Sequence, residues 1–426
     1  MQQQFFALNP VLLRAEEEAE RLCRPVFEGV ARTAEYNSMK VLHAFIDNRV
    51  SESHFAGSTG YGYGDRGRET LDAVFAEAFG AEDALVRHNF VSGTHAIATA
   101  LFGLLRPGDL MLALTGKPYD TLDEVIGLRG SGMGSLRDFG VQYGEVALLP
   151  DGAPDLEGIR RAVAARRPRV AYIQRSRGYS LRPSLRVAAV GEIVRAVREA
   201  CPSSLVVVDN CYGEFVEREE PVSPSCGADL MIGSLIKNPG AGMANTGGYI
   251  AGRKELIELV SYRLTTPGMG REVGATLGES RNMFKGIFFA PHVTGEALKT
   301  AIFTAAFFSS LGFKATPRFD TPRADIIETL ELGSPEALIA FCQGMQKGAP
   351  IDSFVRPEPW DMPGYDSKVI MAAGTCTMGA SIELSADAPL KPPYAAWMQG
   401  GLTYETGKTG VLLAAQSMLA QGFISR

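Results

Sequence analysis

Through the middle of the chain, short aliphatic and β-branched runs alternate with longer stretches whose apolar positions recur every three to four residues. The short runs, at residues 84–90, 110–114, 170–173, 205–208 and 230–232, predict strands buried on both faces. Between them, residues 69–79, 96–105 and 187–200 predict helices; the first carries Leu71, Val74, Phe75 and Ala78 as its apolar stripe. Strand and helix alternate from about residue 84 to 252, the pattern of a mainly parallel sheet covered on both faces. Upstream, residues 11–24 read as a charged helix that Pro25 ends or kinks. A second helix is expected around 35–45, with Met39, Leu42 and Phe45 on one face. Residues 254–312 read as helical, with 284–291 as a broad apolar loop. Beyond 313 the expected elements are a strand and turn (313–323), a helix (335–345) after a Ser334 cap, strands at 368–372 and 381–384, and a closing helix (401–422). The domains that follow are an N-terminal helical arm (1–55), a large α/β domain (56–312) and a smaller C-terminal α+β domain (313–426).

Composition narrows the function classes. At 426 residues and 46% hydrophobic content, the chain can build a sizeable core. A formal net charge of -6 argues against nucleic acid as the main partner. The six cysteines, Cys23, Cys201, Cys211, Cys226, Cys342 and Cys376, form no C-x-x-C pair and no Cys/His cluster of zinc spacing. They read as reduced thiols in a cytoplasmic protein, and no metal site is expected. Residues 1–10 lack a basic stretch followed by an apolar core, so no signal peptide is expected. The apolar run at 301–308 is too short to span a bilayer.

The candidate chemistry lies at the ends of the predicted strands. Asp209 follows Val206-Val207-Val208, and Lys237 follows the 230–232 run, 28 residues later. Open α/β sheets bind ligands at such carboxyl ends. An acid and a lysine so placed suit pyridoxal phosphate, the lysine as Schiff base and the acid against the pyridinium nitrogen. Taken singly, Asp209 reads more readily as a helix N-cap and Lys237 as a surface charge. Ser92-Gly93-Thr94 opens a predicted helix, which offers free N–H groups to a phosphate or simply a Ser N-cap. Tyr119 could stack on a planar cofactor or cap a loop. Arg175, Arg177 and Arg182 crowd the loop after the 170–173 strand, which favours contact with an anionic substrate or phosphate. The loop at 57–68, with five glycines, Tyr61, Tyr63, Arg66 and Arg68, is a candidate anion-contacting loop or an ordinary flexible one.

Several segments carry a resemblance: V-S-G-T-H-A-I-A-T-A-L at 91–101, P-Y-D-T-L-D-E-V-I-G at 118–127, Q-R-S-R-G-Y at 174–179, V-D-N-C-Y-G-E-F at 208–215 and S-L-I-K-N-P-G at 234–240. So do A-P-H-V-T-G-E-A-L-K at 290–299, M-P-G-Y at 362–365, S-I-E-L-S-A-D-A-P at 381–389 and Q-G-G-L-T-Y-E at 399–405. With these the chain resembles fold-type I pyridoxal phosphate enzymes of the cystathionine γ-lyase and methionine γ-lyase kind, and within them the branch labelled aluminium resistance protein. The resemblance implies a mainly parallel seven-stranded sheet and a smaller C-terminal domain. It implies Lys237 as aldimine lysine and proton shuttle, and Asp209 on the ring nitrogen. Ser92, Gly93, Thr94 and Ser234 would hold the phosphate. Tyr119 would lie on the ring face and act as acid/base, and Cys211 would touch the ring. It also implies a homotetramer, a dimer of dimers with shared active sites. There the relatives use a Y-x-R pair that falls at Gly60 and Gly62 here, so Tyr61 or Tyr63 substitutes for the tyrosine and Arg66 for the arginine. Relatives carry Ser or Thr before the lysine; this chain has Ile236. Arg177, Arg271 and Arg356 are the candidates for the substrate carboxylate. The activity implied is β- or γ-elimination from a sulfur-containing amino acid. The alternatives are replacement, transamination or decarboxylation with the same cofactor, or a non-catalytic stress-response or metal-binding protein on this fold.

Overall fold

The computed structural model describes residues 4–362, 365 and 367–425. Met1 to Gln3, and Pro363 and Gly364 of the Met-Pro-Gly-Tyr segment, lie outside the described residues. The chain divides into two units, one of Met1–Tyr36 with Ala290–Arg426 and one of Asn37–Phe289.

The unit Asn37–Phe289 is built on seven strands: β1 (Asp83–Arg87), β2 (Leu110–Ala113), β3 (Gln142–Glu145), β4 (Val170–Gln174), β5 (Leu205–Asp209), β6 (Leu230–Ser234) and β7 (Gly248–Gly252). They form one sheet in the order β1-β7-β6-β5-β4-β2-β3. Pairings from β6 through β5, β4 and β2 to β3 are parallel, while β7 runs antiparallel to both neighbours. The helices of the chain are α1 (Pro10–Asp47), α2 (Arg66–Phe79), α3 (Gly93–Leu104), α4 (Asp123–Ile126), α5 (Leu156–Arg166), α6 (Val187–Ala200), α7 (Lys254–Leu264), α8 (Ser280–Ser310), α9 (Pro335–Lys347) and α10 (Tyr404–Ala420).

Every residue of β5 is buried. Its side chains alternate between faces. Val207 packs with Tyr172, Leu230 and Ile232 against residues of α3 and α7, whereas Val206 and Val208 pack with residues of α5 and α6. Burying a valine fully contributes roughly 1.5–3 kcal/mol relative to exposure, so this central run holds both layers to the sheet.

The unit Met1–Tyr36 with Ala290–Arg426 has a five-stranded antiparallel sheet. Its strands are β8 (Lys314–Thr316), β9 (Glu328–Glu331), β10 (Val369–Ala372), β11 (Ser385–Pro389) and β12 (Ala395–Gln399), in the order β10-β11-β12-β9-β8. Its core includes Phe303, Phe307, Phe308 and Phe341, joined by Leu12, Ala19 and Cys23.

Three expected elements are corrected. Residues 11–45 form one helix, α1, with Pro25 inside it. Proline removes one intrahelical hydrogen bond and crowds the preceding turn. Burial of Leu12, Ala19 and Cys23 before it, and of Val41 and Ala44 after it, outweighs that cost. Residues 284–291 are helical, inside α8, because Phe284, Ile287 and Ala290 recur at helical spacing and are all buried. The strand expected at 381–384 begins at Ser385 instead. No described helix is long and apolar enough to cross a membrane.

Candidate active site

Asp209 is the last residue of β5 and pairs in register with Ile232 of the parallel strand β6. Lys237 lies three residues past the end of β6, so both emerge at the same, carboxyl edge of the sheet. Asp209 is buried. Its Oδ1 accepts the Cys211 N–H at 3.1 Å, and its Oδ2 lies 3.5 Å from the Tyr172 hydroxyl. Lys237 is half-buried, and its Nζ stands 4.0 Å from the centroid of the Tyr212 ring, within cation–π range. Asn238 fixes this turn. Its Nδ2 donates to the carbonyls of Tyr212 at 3.1 Å and Glu214 at 3.0 Å, tying the residue after the lysine to the loop after Asp209. Burial opposes the charge on Lys237, but the surrounding Cys211, Tyr212, Asp209 and Glu214 favour it more strongly, and the amine's pKa is raised. Burial pushes the Cys211 thiol far up, with Asp209 acting in the same direction.

Ser92 caps α3, its Oγ accepting the His95 N–H at 3.0 Å. The first N–H groups of a helix have no acceptor within it, and they carry the positive end of its dipole. Gly93 opens α3 against the ends of β5 and β6: a methyl group there would sit 3.3 Å from both Cys211 Sγ and Ser234 Cβ. Thr94 Oγ1 lies 2.9 Å from Thr121 Oγ1, which ties this turn to the Tyr119 loop. The Tyr119 N–H donates to Gln174 Oε1 at 2.6 Å, and Gln174 ends β4 beside Asp209. The Tyr119 ring meets Tyr179 edge-on at 5.6 Å. Ser92, Gly93, Thr94, Tyr119, Asp209, Cys211, Ser234 and Lys237 thus gather around one edge of the sheet.

In the arginine-rich loops, Arg175, Arg182 and Arg68 are held by internal acceptors. Arg175 is fully buried and donates to the Leu185 and Gly213 carbonyls, Asn210 Oδ1 and Glu217 Oε2. Arg182 donates to the carbonyls of Gln174, Ser176 and Pro183. Internal acceptors thus surround the Arg175 and Arg182 guanidinium groups. Arg68 is spent the same way, on the carbonyls of Gly62, Glu272 and Gly274. Arg177 is buried, with Nε 3.4 Å from Ser184 Oγ. Arg271 is held between Asp72 and Asp83. Arg356 is exposed and belongs to the other unit. Tyr61 and Tyr63 are 72% and 64% exposed, their rings 5.8 Å apart. Their loop is pinned by Thr276, which donates to Asp65 at 2.6 Å and accepts the Ser58 N–H at 3.1 Å.

The family pattern described as methionine gamma-lyase matches residues 12–419. The chain belongs to the methionine gamma-lyase family. As a member of the methionine gamma-lyase family it is a carbon–sulfur lyase-like enzyme. The protein YnbB of Bacillus subtilis (strain 168) is 48% identical over 415 residues, 97% of this chain and 98% of its own length. A solved structure from Clostridium novyi NT, described as a carbon-sulfur lyase involved in aluminum resistance, is 48% identical, covers 96% of both chains and superposes with a TM-score of 0.93. The pyridoxal-5'-phosphate dependent protein YhfS from Escherichia coli covers 92% of this chain and 97% of its own at a TM-score of 0.63; at 16% identity the likeness is one of fold. The expected fold-type I architecture is thus present.

Sequence reasoning gave no role to Tyr172, Gln174, Asn238, Glu214 or Tyr249 in this methionine gamma-lyase family site. Gln174, Glu214 and Asn238 sit inside the quoted segments, but nothing in their spacing shows what they bond. On the surface, His43, Asp47 and Glu77 bring ligand atoms within 4.8 Å of one another. All three are exposed, with His43 Nδ1 3.0 Å from Glu77 and 3.5 Å from Asp47, as in an ordinary surface ion-pair cluster.

Proposed function

We propose that this chain is a pyridoxal phosphate-dependent lyase that eliminates the β- or γ-substituent of a sulfur-containing amino acid. The observation that carries the reading is the placement of Asp209 and Lys237 at the ends of neighbouring parallel strands, with Gly93 closing on both strand ends. The donor set fits the cofactor: an amine for its aldehyde, a buried carboxylate for its ring nitrogen, and a helix N-terminus with two hydroxyl residues for its phosphate. Bound there, pyridoxal phosphate supplies an electron sink for charge developing at the substrate α-carbon.

The rest is done by the chain's own groups. Lys237 Nζ would hold the cofactor through its aldehyde and, as a free amine, would take the substrate α-proton. Asp209, supported by the Cys211 N–H and the Tyr172 hydroxyl, would hold a proton on the ring nitrogen. The N–H groups of Gly93 and Thr94, with the hydroxyls of Ser92, Thr94 and Ser234, bind the phosphate. Tyr119 supports the ring face and exchanges a proton with the leaving group. Arg177 is the candidate for the substrate carboxylate within this unit. The six unpaired cysteines support a reducing, cytoplasmic setting. Exposed Tyr61 and Tyr63 on a pinned loop support a site completed by a neighbouring subunit.

The test is incubation of the cofactor-loaded protein with cysteine, cystathionine and methionine, scoring keto acid release. At least one substrate should turn over, and the Lys237→Ala variant should lose that activity. Failure of all three with wild-type protein would sink the elimination reading.

A further inference from the structure

Successive residues of a strand point to opposite faces. Ser234 faces Gly93, so Gly233 faces away from the cofactor cradle. A methyl group on Gly233 would collide with Glu214 Oε1 and reach within 2.7 Å of the Tyr249 hydroxyl. The missing side chain of β6 is therefore the space in which Glu214 and Tyr249 meet. Glu214 is fully buried. Its Oε1 accepts the Tyr249 hydroxyl at 2.7 Å, and its Oε2 has no hydrogen-bond partner among the described residues. Through the carbonyl that takes the Asn238 amide, Glu214 is also tied to the residue beside Lys237.

An ionised carboxylate whose donors are only the neutral Tyr249 hydroxyl and the Glu214 backbone N–H is costly to bury. The titratable groups facing Glu214 are Tyr249 from β7, Glu220 and Cys211 from its own loop, and Lys237 beyond β6. Burial pushes the carboxyl up to about 8, with Glu220 acting in the same direction, against the pull of the Tyr249 hydrogen bond and of Lys237.

We infer that Glu214 is a positioning residue held as a neutral acid behind β6, whose ionisation adds negative charge beside Lys237 and raises the proton affinity of the lysine nitrogen. This rests on Lys237 being the cofactor lysine. The sign follows from charge: an anionic neighbour favours the protonated nitrogen, so the nitrogen keeps its proton to higher pH than beside a neutral one.

The test uses protein loaded with pyridoxal phosphate and two readouts across pH. An infrared difference spectrum between wild type and Glu214→Gln should show a protonated-carboxyl band that fades as pH rises through about 8. The pH at which the bound cofactor's visible absorbance changes should fall in Glu214→Gln by about one unit. Tyr249→Phe, which removes the side-chain donor to the carboxyl, should move the loss of the infrared band to higher pH. A wild-type protein without the band at any pH, or identical absorbance titrations in wild type and Glu214→Gln, would overturn the inference. If Glu214→Gln does not fold, Tyr249→Phe decides: a displaced band supports the inference, an unmoved one overturns it. Absence of any bound-cofactor absorbance would instead refute the reading of Lys237, which separates the two failures.

Discussion

Arg175 shows how far a single residue's meaning depends on partners distant in sequence. Three arginines within eight positions point toward an anion, yet the acid that Arg175 meets, Glu217, lies 42 residues on. A second acid, the fully buried Glu220, lies 3.6 Å from the same guanidinium. Arg175→Met should therefore act on stability. Leaving Glu220 without its cation should cost about 3–5 kcal/mol, read as a lowered urea midpoint. A variant of wild-type stability with a raised KM would show that Arg175 serves the substrate instead. Asp209 and Lys237 were legible because each lies at or within a few residues of the end of a buried run, so position along the chain stands for position in the sheet. Glu214 was not, because its environment is set by a glycine of one strand and a tyrosine of another.

At the level of elements, the buried strands declared themselves, since β-branched residues packed on both faces leave a continuous apolar run. Val206 to Val208 is such a run, and it lies at the sheet's centre. The antiparallel setting of β7 was not readable, because residues 248–252 look the same in either direction. The long helices failed for a different reason. Pro25 and Pro291 are local stop signals, but α1 and α8 continue through them, held by buried apolar positions on both sides. Packing overrides local propensity when each half of a helix has its own core to join. Around the site the same logic recurs in miniature. Ser92 caps α3 as a local rule predicts, while the close approach of Gly93 to Cys211 and Ser234 is a tertiary fact.

For the whole molecule, the chain folds as two units, each with its own sheet, and all the gathered site residues come from the Asn37–Phe289 unit. On the proposed reading, the two exposed tyrosines of its glycine-rich loop meet a neighbouring subunit. Replacing both Tyr61 and Tyr63 by alanine should reduce an assembly of 45.7 kDa chains to a smaller one in light scattering and weaken cofactor retention. A wild-type monomer with full activity would count against a shared site. The central claim is that Lys237 carries the cofactor, and one measurement addresses it directly. Borohydride reduction of the pyridoxal phosphate-loaded protein, followed by peptide mass mapping, should place the cofactor's added mass on the peptide containing Lys237 and nowhere in the Lys237→Ala variant. The added mass on a different lysine, or on none, would contradict the account.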